Sequence, residues 1–179
     1  MMQFGIMCEM CIRKLGEPVP AASDLQIRPL TKPEISAEWP RIWDATGRII
    51  AHLQESPVFY SGNEFTEEVY RDFYMDKDTE LIAAFDHGKL AGIIEWNRER
   101  NPLLSPNDPS ANVGEAYVYP EYRGTGLAQQ LLHCAAKAAQ AAGYDWLWVP
   151  HGTANPNACG FWDKYFQPYQ YEMVRTITR

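Results

Sequence analysis

The apolar positions of this chain fall into runs whose period changes several times. Phe4, Met7, Cys11 and Leu15 recur at helical spacing ahead of Gly16, Pro18 and Pro20, which predicts a short amphipathic helix. Leu25, Ile27 and Pro29 or Leu30 read as a short strand, and Thr31-Lys32-Pro33-Glu34 carries the threonine and early carboxylate of a helix start. A helix is predicted from Ile35 to Glu55, broken near Pro40, with Trp39, Trp43, Ile49, Ile50 and Leu53 as its apolar face and Pro57 as its end. Phe65, Val69 and Phe73 repeat every four residues, so Glu64 to Tyr74 is a further helix.

Glu80 to Phe85 and Lys89 to Trp96 are apolar runs joined by Asp86-His87-Gly88, the pattern of an antiparallel hairpin. Asn97 to Asn112 holds three prolines and little apolar content, and reads as a long loop of the kind that carries function. Val113 to Tyr119 is the next strand. Leu127 to Ala142 is the clearest helix, with Leu131, Leu132, Ala135 and Ala138 on one face and Gly143 as its stop. Tyr144 to Val149 is apolar at nearly every position, as in a strand covered on both faces. A short helix at Asn157 to Tyr165 and a last strand at Tyr169 to Ile177 complete a mixed order of strands and helices.

Composition narrows the function classes. The 179 residues are 46% apolar and 22% charged, an ordinary globular profile. The formal charge is −7 and no basic cluster stands out, so binding to a nucleic-acid backbone is disfavoured. No apolar stretch approaches the roughly 18 residues that span a bilayer. The N-terminal run carries Glu9 inside it and Arg13 and Lys14 after it, which is not the order of a secretory signal. The four cysteines are too few for a disulfide scaffold at this length, so a cytoplasmic location is expected. Cys8 and Cys11 have C-x-x-C spacing, but no second pair completes a zinc site. His52, His87, His133 and His151 are scattered, and no metal is expected.

The chemistry concentrates in Tyr117-Val118-Tyr119-Pro120-Glu121-Tyr122-Arg123-Gly124-Thr125-Gly126-Leu127-Ala128, a strand leading through a glycine-bearing turn into the best helix. Two glycines let the backbone fold tightly, so that several unpaired N–H groups at the helix start aim at one anion. A phosphate or pyrophosphate fits, and Arg123 adds a fixed positive charge in an acidic chain. The segment is neither a Walker loop nor a dinucleotide fingerprint, because it lacks both the Gly-Lys-Ser/Thr and the three-glycine spacing.

At this point the sequence resembles the GNAT family of acyl-CoA-dependent N-acetyltransferases. Arg123, Gly126 and Ala128 match the family signature of Arg or Gln, two residues, Gly, one residue, and Gly or Ala. A second family pattern stands downstream as Asn155, Ala158, Phe161 and Trp162. The resemblance runs from Leu25 to the C-terminus, so residues 1–23 are expected as a helical extension and 24–179 as the acetyltransferase domain. It implies an α/β fold: a mixed, largely antiparallel central sheet flanked by helices, with a splayed strand pair holding CoA. It further implies that the N–H groups of Gly124, Thr125, Gly126, Leu127 and Ala128 hold the CoA pyrophosphate, and that Tyr117 and Val118 lie along the pantetheine arm. Asn155 would bond that arm from the other side.

One departure bears on mechanism. Where many members have a Tyr that protonates the departing thiolate, this chain has Trp162, which has no proton to give at neutral pH. Tyr165, one helical turn further on, is the remaining candidate for that acid. An amine acceptor is mostly protonated at neutral pH and needs a base. Glu95 and Glu115 both interrupt apolar strands, and Glu115 is the preferred candidate. Strand alternation places Glu115 opposite Ala116 and Val118, so only one set faces the cleft unless a bulge intervenes.

The resulting expectation is transfer of an acetyl group from acetyl-CoA to a primary amine of a small molecule or peptide, by direct attack in a ternary complex. The alternative is an acyl-CoA-binding sensor without turnover. The acidic, aromatic stretch Ser56 to Tyr74 and the loop Asn97 to Asn112 are expected to shape the acceptor pocket. Glu64, Glu67 and Glu68 would favour a cationic acceptor. Neither nucleic acid nor membrane is an expected partner, and a monomer or homodimer is expected.

Overall fold

The computed structural model describes residues 5–16, 24–54, 65–101, 103–104 and 107–174. They form a seven-stranded sheet in the order β2-β3-β4-β5-β6-β1-β7, with helices on both faces. The strands are β1 (Gly5–Lys14), β2 (Gln26–Pro29), β3 (Thr79–Asp86), β4 (Lys89–Asn97), β5 (Ser110–Val118), β6 (Trp146–Gly152) and β7 (Gln167–Val174). Between them lie α1 (Lys32–Ala37), α2 (Trp39–Gln54), α3 (Glu67–Met75), α4 (Leu127–Ala141) and α5 (Pro156–Trp162). All pairings are antiparallel except β5 with β6. This is the mixed, largely antiparallel architecture that the sequence implied.

Local chemistry explains the helix bounds. Thr31 caps α1 reciprocally with Glu34: the Thr31 backbone N–H donates to Glu34 Oε2 at 2.8 Å, and the Thr31 hydroxyl accepts from the Glu34 N–H. The break expected near Pro40 falls at Glu38, after which α2 restarts with proline in its first turn. Thr66 caps α3 by accepting from the Val69 N–H at 3.3 Å, so this helix starts later than Glu64. Residues 55–64, which include Glu64, Pro57 and about half of the expected acceptor stretch, lie outside the described residues. In the β3–β4 turn His87 and Gly88 both take positive φ, +47° and +82°, as a tight two-residue hairpin demands.

The N-terminal segment corrects the sequence reading. Residues 5–14 are a strand, not a helix, and β1 lies between β6 and β7 inside the sheet. A short apolar run does not by itself reveal whether its period is that of a helix or of a strand. Here Cys11 is buried in the same cluster as Leu147, Val149 and Trp162, while β6 and β7 supply backbone partners along both edges. The segment read as an extension is therefore part of the sheet.

Two apolar clusters cover the two faces. On one, Leu127, Leu131 and Leu132 of α4 pack with Ile82, Ile94, Trp96 and Val113. Each such buried side chain contributes roughly 1.5–3 kcal/mol. On the other, Trp39 and Ile42 of α2 and Tyr70 and Tyr74 of α3 pack on Leu81, Ala83 and Ile93. Among the described residues no helix is long and apolar enough to cross a membrane.

Candidate active site

β5 and β6 run parallel through Ser110–Trp146, Ala111–Leu147 and Asn112–Trp148, and there their pairing ends. Beyond that point β5 keeps β4 on one side, through Ile94–Ala116, Ile93–Tyr117 and Gly92–Val118. Its other edge opens into a cleft of about 710 Å³, bordered by β5, α2, α5 and the start of α4. The Tyr119 N–H donates to the Ala91 carbonyl on β4 at 3.1 Å. Backbone alternation then turns the N–H of Tyr117 to β4 as well, and those of Ala116 and Val118 to the open edge. Of the two residues expected along the cofactor arm, Val118 thus offers its backbone and Tyr117 its ring. Ala116 adds a donor that the sequence reading did not name.

At the end of β5 the chain makes a single 3-10 turn, Pro120–Tyr122, and then bends through Gly124 and Gly126 at φ +77° and +89°. Left-handed backbone costs a side-chain-bearing residue energy but not glycine, so both residues suit this turn. Gly126 is the N-cap of α4 and supplies no side chain to its first turn. Leu127, Ala128 and Gln129 therefore point N–H groups outward without helical acceptors. Gln130 is the first to donate inward, to Gly126 O at 3.1 Å. The Thr125 hydroxyl donates to Tyr122 O at 2.7 Å, and Arg123 Nε donates to Val118 O at 3.0 Å. The Arg123 guanidinium also stands 5.6 Å over the Tyr117 ring, so the loop is tied to the strand it leaves. The fifteen residues of α4 direct their positive end to the same place.

The opposite face of the sheet carries two acids. Between the pairs Ile94–Ala116 and Trp96–Val113, β5 has one residue more than β4, a bulge formed at Gly114 and Glu115. The Glu115 N–H donates to Glu95 Oε2 at 3.1 Å, and Asn97 Nδ2 donates to Glu95 Oε1 at 2.7 Å. A Cβ on Gly114 would come within 2.6 Å of Glu95 Oε2, so a side chain there would force that carboxylate to move. Glu95 is 1% exposed, and burial pushes its carboxyl up to about 8 despite those two donors. Glu115 is half-buried and also raised by burial, with the Tyr70 hydroxyl donating to its Oε1 at 3.0 Å and pulling the other way. Tyr70 belongs to an aromatic group with Trp43, Phe65 and Tyr74, their ring centroids 6.0–6.4 Å from its own. Neither carboxylate lines the cleft itself; they sit beyond its β5 floor, next to Ala116.

The sequence profile of the Acetyltransferase (GNAT) family matches residues 47–166. The chain belongs to the GNAT acetyltransferase family. No curated protein matches it. Among solved structures it is similar to a functionally unknown conserved protein from Staphylococcus epidermidis, with TM-score 0.60 and 12% identity over 96% of this chain; it spans 59% of that protein. It is also similar to the aminoglycoside acetyltransferase meta-AAC0020 from an uncultured soil metagenomic sample, in complex with sisomicin, with TM-score 0.59, 14% identity and coverages of 87% and 95%. A predicted acetyltransferase from Clostridium acetobutylicum, with acetyl-CoA, gives TM-score 0.58, 13% identity and coverages of 76% and 86%. At such identities these neighbours speak to the fold, which is the GNAT fold.

Within this GNAT chain Arg123, Gly124, Gly126, Leu127, Ala128, Tyr117, Val118 and Asn155 all line one cleft, and Thr125 braces its turn. Asn155 Oδ1 is occupied in capping α5, accepting from the N–H groups of Asn157 and Ala158 at 3.1 Å. Its amide nitrogen takes no part in that cap. Trp162 lines the same wall, but Tyr165 does not; it packs on Phe161 at 5.3 Å between ring centroids. Sequence reasoning missed α2 as the facing wall, where Arg48 and His52 stand four residues apart on one side of the helix. Arg48 Nε donates to Asp44 Oδ2 at 2.9 Å, and its guanidinium stands 5.6 Å over the Tyr119 ring. That polar pair at i and i+4 on a helix otherwise read for its apolar face was the available signal. Of the acids expected to favour a cationic acceptor, Glu67 accepts from Trp39 Nε1 at 2.7 Å and Glu68 is exposed.

Proposed function

We propose that this chain transfers an acetyl group from acetyl-CoA to a primary amine of a small molecule or peptide, by direct attack within a ternary complex. The observation that carries the reading is the open edge of β5 leading without interruption into the N–H-rich start of α4. The N–H groups from Gly124 to Ala128 take the pyrophosphate, with Arg123 closing the turn. Val118 pairs with the pantetheine arm along the open edge, and the Asn155 amide meets that arm from α5.

The acceptor reaches the thioester from the α2–α3 face. Glu115, which keeps partial access to solvent, takes the proton from the ammonium through a water, and Glu95 fixes the Glu115 backbone from behind. The freed lone pair attacks the thioester carbon. The developing oxyanion is held by the Ala116 N–H, an interaction typically worth about 2.7–4 kcal/mol. Collapse breaks the carbon–sulfur bond and expels CoA as its thiolate, which takes up the second proton from the former amine nitrogen to leave the neutral amide and CoA thiol.

Release of CoA thiol tests the reading, measured against a panel of aminoglycosides, polyamines, amino acids and peptide N-termini, alongside calorimetric titration with acetyl-CoA. Release with one amine class supports the transferase and names its acceptor class. Acetyl-CoA binding with no release for any class favours the sensor reading instead.

A further inference from the structure

On the far side of β6 from the β5 cleft, β1 and β6 bring together four side chains that have no sequence spacing in common. Glu9 lies directly opposite His151 across the β1–β6 pair, and Cys11 follows two residues along on the same face of β1. α5 packs on that face and is capped at its end by Asp163. Cys8 alternates to the other face, so the C-x-x-C spacing does not mark the pair that matters. Cys11 is fully buried and the His151 side chain is 3% exposed, while Asp163 at 50% leaves a way in from solvent.

All the close approaches converge on one atom. His151 Nε2 has Cys11 Sγ at 3.5 Å, Glu9 Oε2 at 3.5 Å and Asp163 Oδ1 at 3.8 Å. The four ligand atoms lie within 4.8 Å of one another. An imidazole nitrogen takes part in one in-plane hydrogen bond, and N–H···O bonds are about 2.7–3.2 Å long. The three distances are not those of one hydrogen-bond network: Cys11 Sγ is within reach of a sulfur hydrogen bond, but both carboxylate oxygens stand farther off than an N–H···O bond allows. They match the separation of donors around a shared centre, since metal bonds of about 2.0–2.3 Å at tetrahedral angles set donors about 3.3–3.8 Å apart. Two carboxylates beside a buried imidazole and thiol also place negative charge where a bound cation would be stabilised.

We propose that Glu9, Cys11, His151 and Asp163 form a binding site for one Zn²⁺ ion. One thiolate, one imidazole and two carboxylate oxygens are a donor set that zinc accepts. Binding replaces the Cys11 thiol proton, which passes to solvent, with a sulfur–zinc bond. Cys159 Sγ stands 3.8 Å from Nδ1, on the other side of the ring, and is directed to the carbonyls of Gly152 and Thr153, so it is not a ligand. The ion would join β1, β6 and α5, fixing a helix that walls the neighbouring cleft.

The test is titration of the chelator-stripped full chain with Zn²⁺ and with Co²⁺, after circular dichroism confirms that it is folded. The expected result is one ion per chain, a rise in Tm with zinc, and with cobalt the intense visible bands of a tetrahedral site plus a thiolate charge-transfer band. Cys11→Ser and Asp163→Asn should each weaken zinc binding at least about tenfold, whereas Cys159→Ser should not. Asp163 is half-exposed, so its variant stays informative if the buried Cys11→Ser chain fails to fold. No uptake by folded, stripped protein at micromolar metal would overturn the proposal. So would Asp163→Asn binding zinc as tightly as the unaltered chain.

Discussion

The two faces of the sheet at β5 are built from different materials. Toward α4 the cleft presents backbone: outward N–H groups of Leu127 and Ala128, the unpaired edge at Ala116 and Val118, and two glycines with positive φ that shape the turn. Toward α2 and α3 the same strand presents side chains, with Glu95 and Glu115 meeting across a bulge beneath the hydroxyl of Tyr70. A backbone surface recognises what every reaction of the fold shares, whereas side chains can be exchanged to suit one acceptor. In the proposed transferase the first face therefore governs cofactor affinity and the second governs turnover, and the two should separate experimentally.

The largest effect should come from breaking the backbone face. Arg123→Ala combined with Gly126→Val forces a side chain into φ +89° and removes the tie to Val118. Acetyl-CoA affinity should fall at least about 100-fold by calorimetry, with helix content by circular dichroism unchanged. Next, Glu115→Gln should lower kcat by about 100-fold or more while leaving acetyl-CoA affinity alone, since removing a general base costs turnover only. A parallel loss of affinity would show that the two faces are not independent.

The third effect concerns stability. Glu95 titrates at about 8 in the folded chain against an ordinary 4.5, so between those values the folded protein holds a proton that the unfolded chain has released. Its protonated form stabilises the fold fully below pH 4.5, and that contribution is lost as pH rises through 8. Urea unfolding across this window should show stability falling with pH, and Glu95→Gln should flatten the slope. The smallest effect is expected from Tyr165→Phe, which should change kcat by less than about twofold because the ring packs on Phe161 outside the cleft.

What the sequence made legible follows this same division. The segment from Tyr117 to Ala128 is contiguous, so strand, turn glycines and helix start could be read together and fall on one cleft. The carboxylates were legible as charges in apolar strands, but the bulge that brings them together was not, because an extra residue in β5 has meaning only against β4. The N-terminal strand was hidden for a related reason. Its apolar residues face neighbours contributed by β6, β7 and α5, more than a hundred residues away in the chain, and local spacing then imitates a helix. Glu9, Cys11, His151 and Asp163 are the extreme case, since nothing in their order hints that they meet.

A crystal structure of the chain with CoA would show directly where the cofactor lies. The pyrophosphate should lie on the N–H groups of Gly124 to Ala128, with the pantetheine arm laid between β5 and β6 against Ala116 and Val118. CoA bound elsewhere, or a pyrophosphate held by side chains with those N–H groups left to solvent, would contradict this placement.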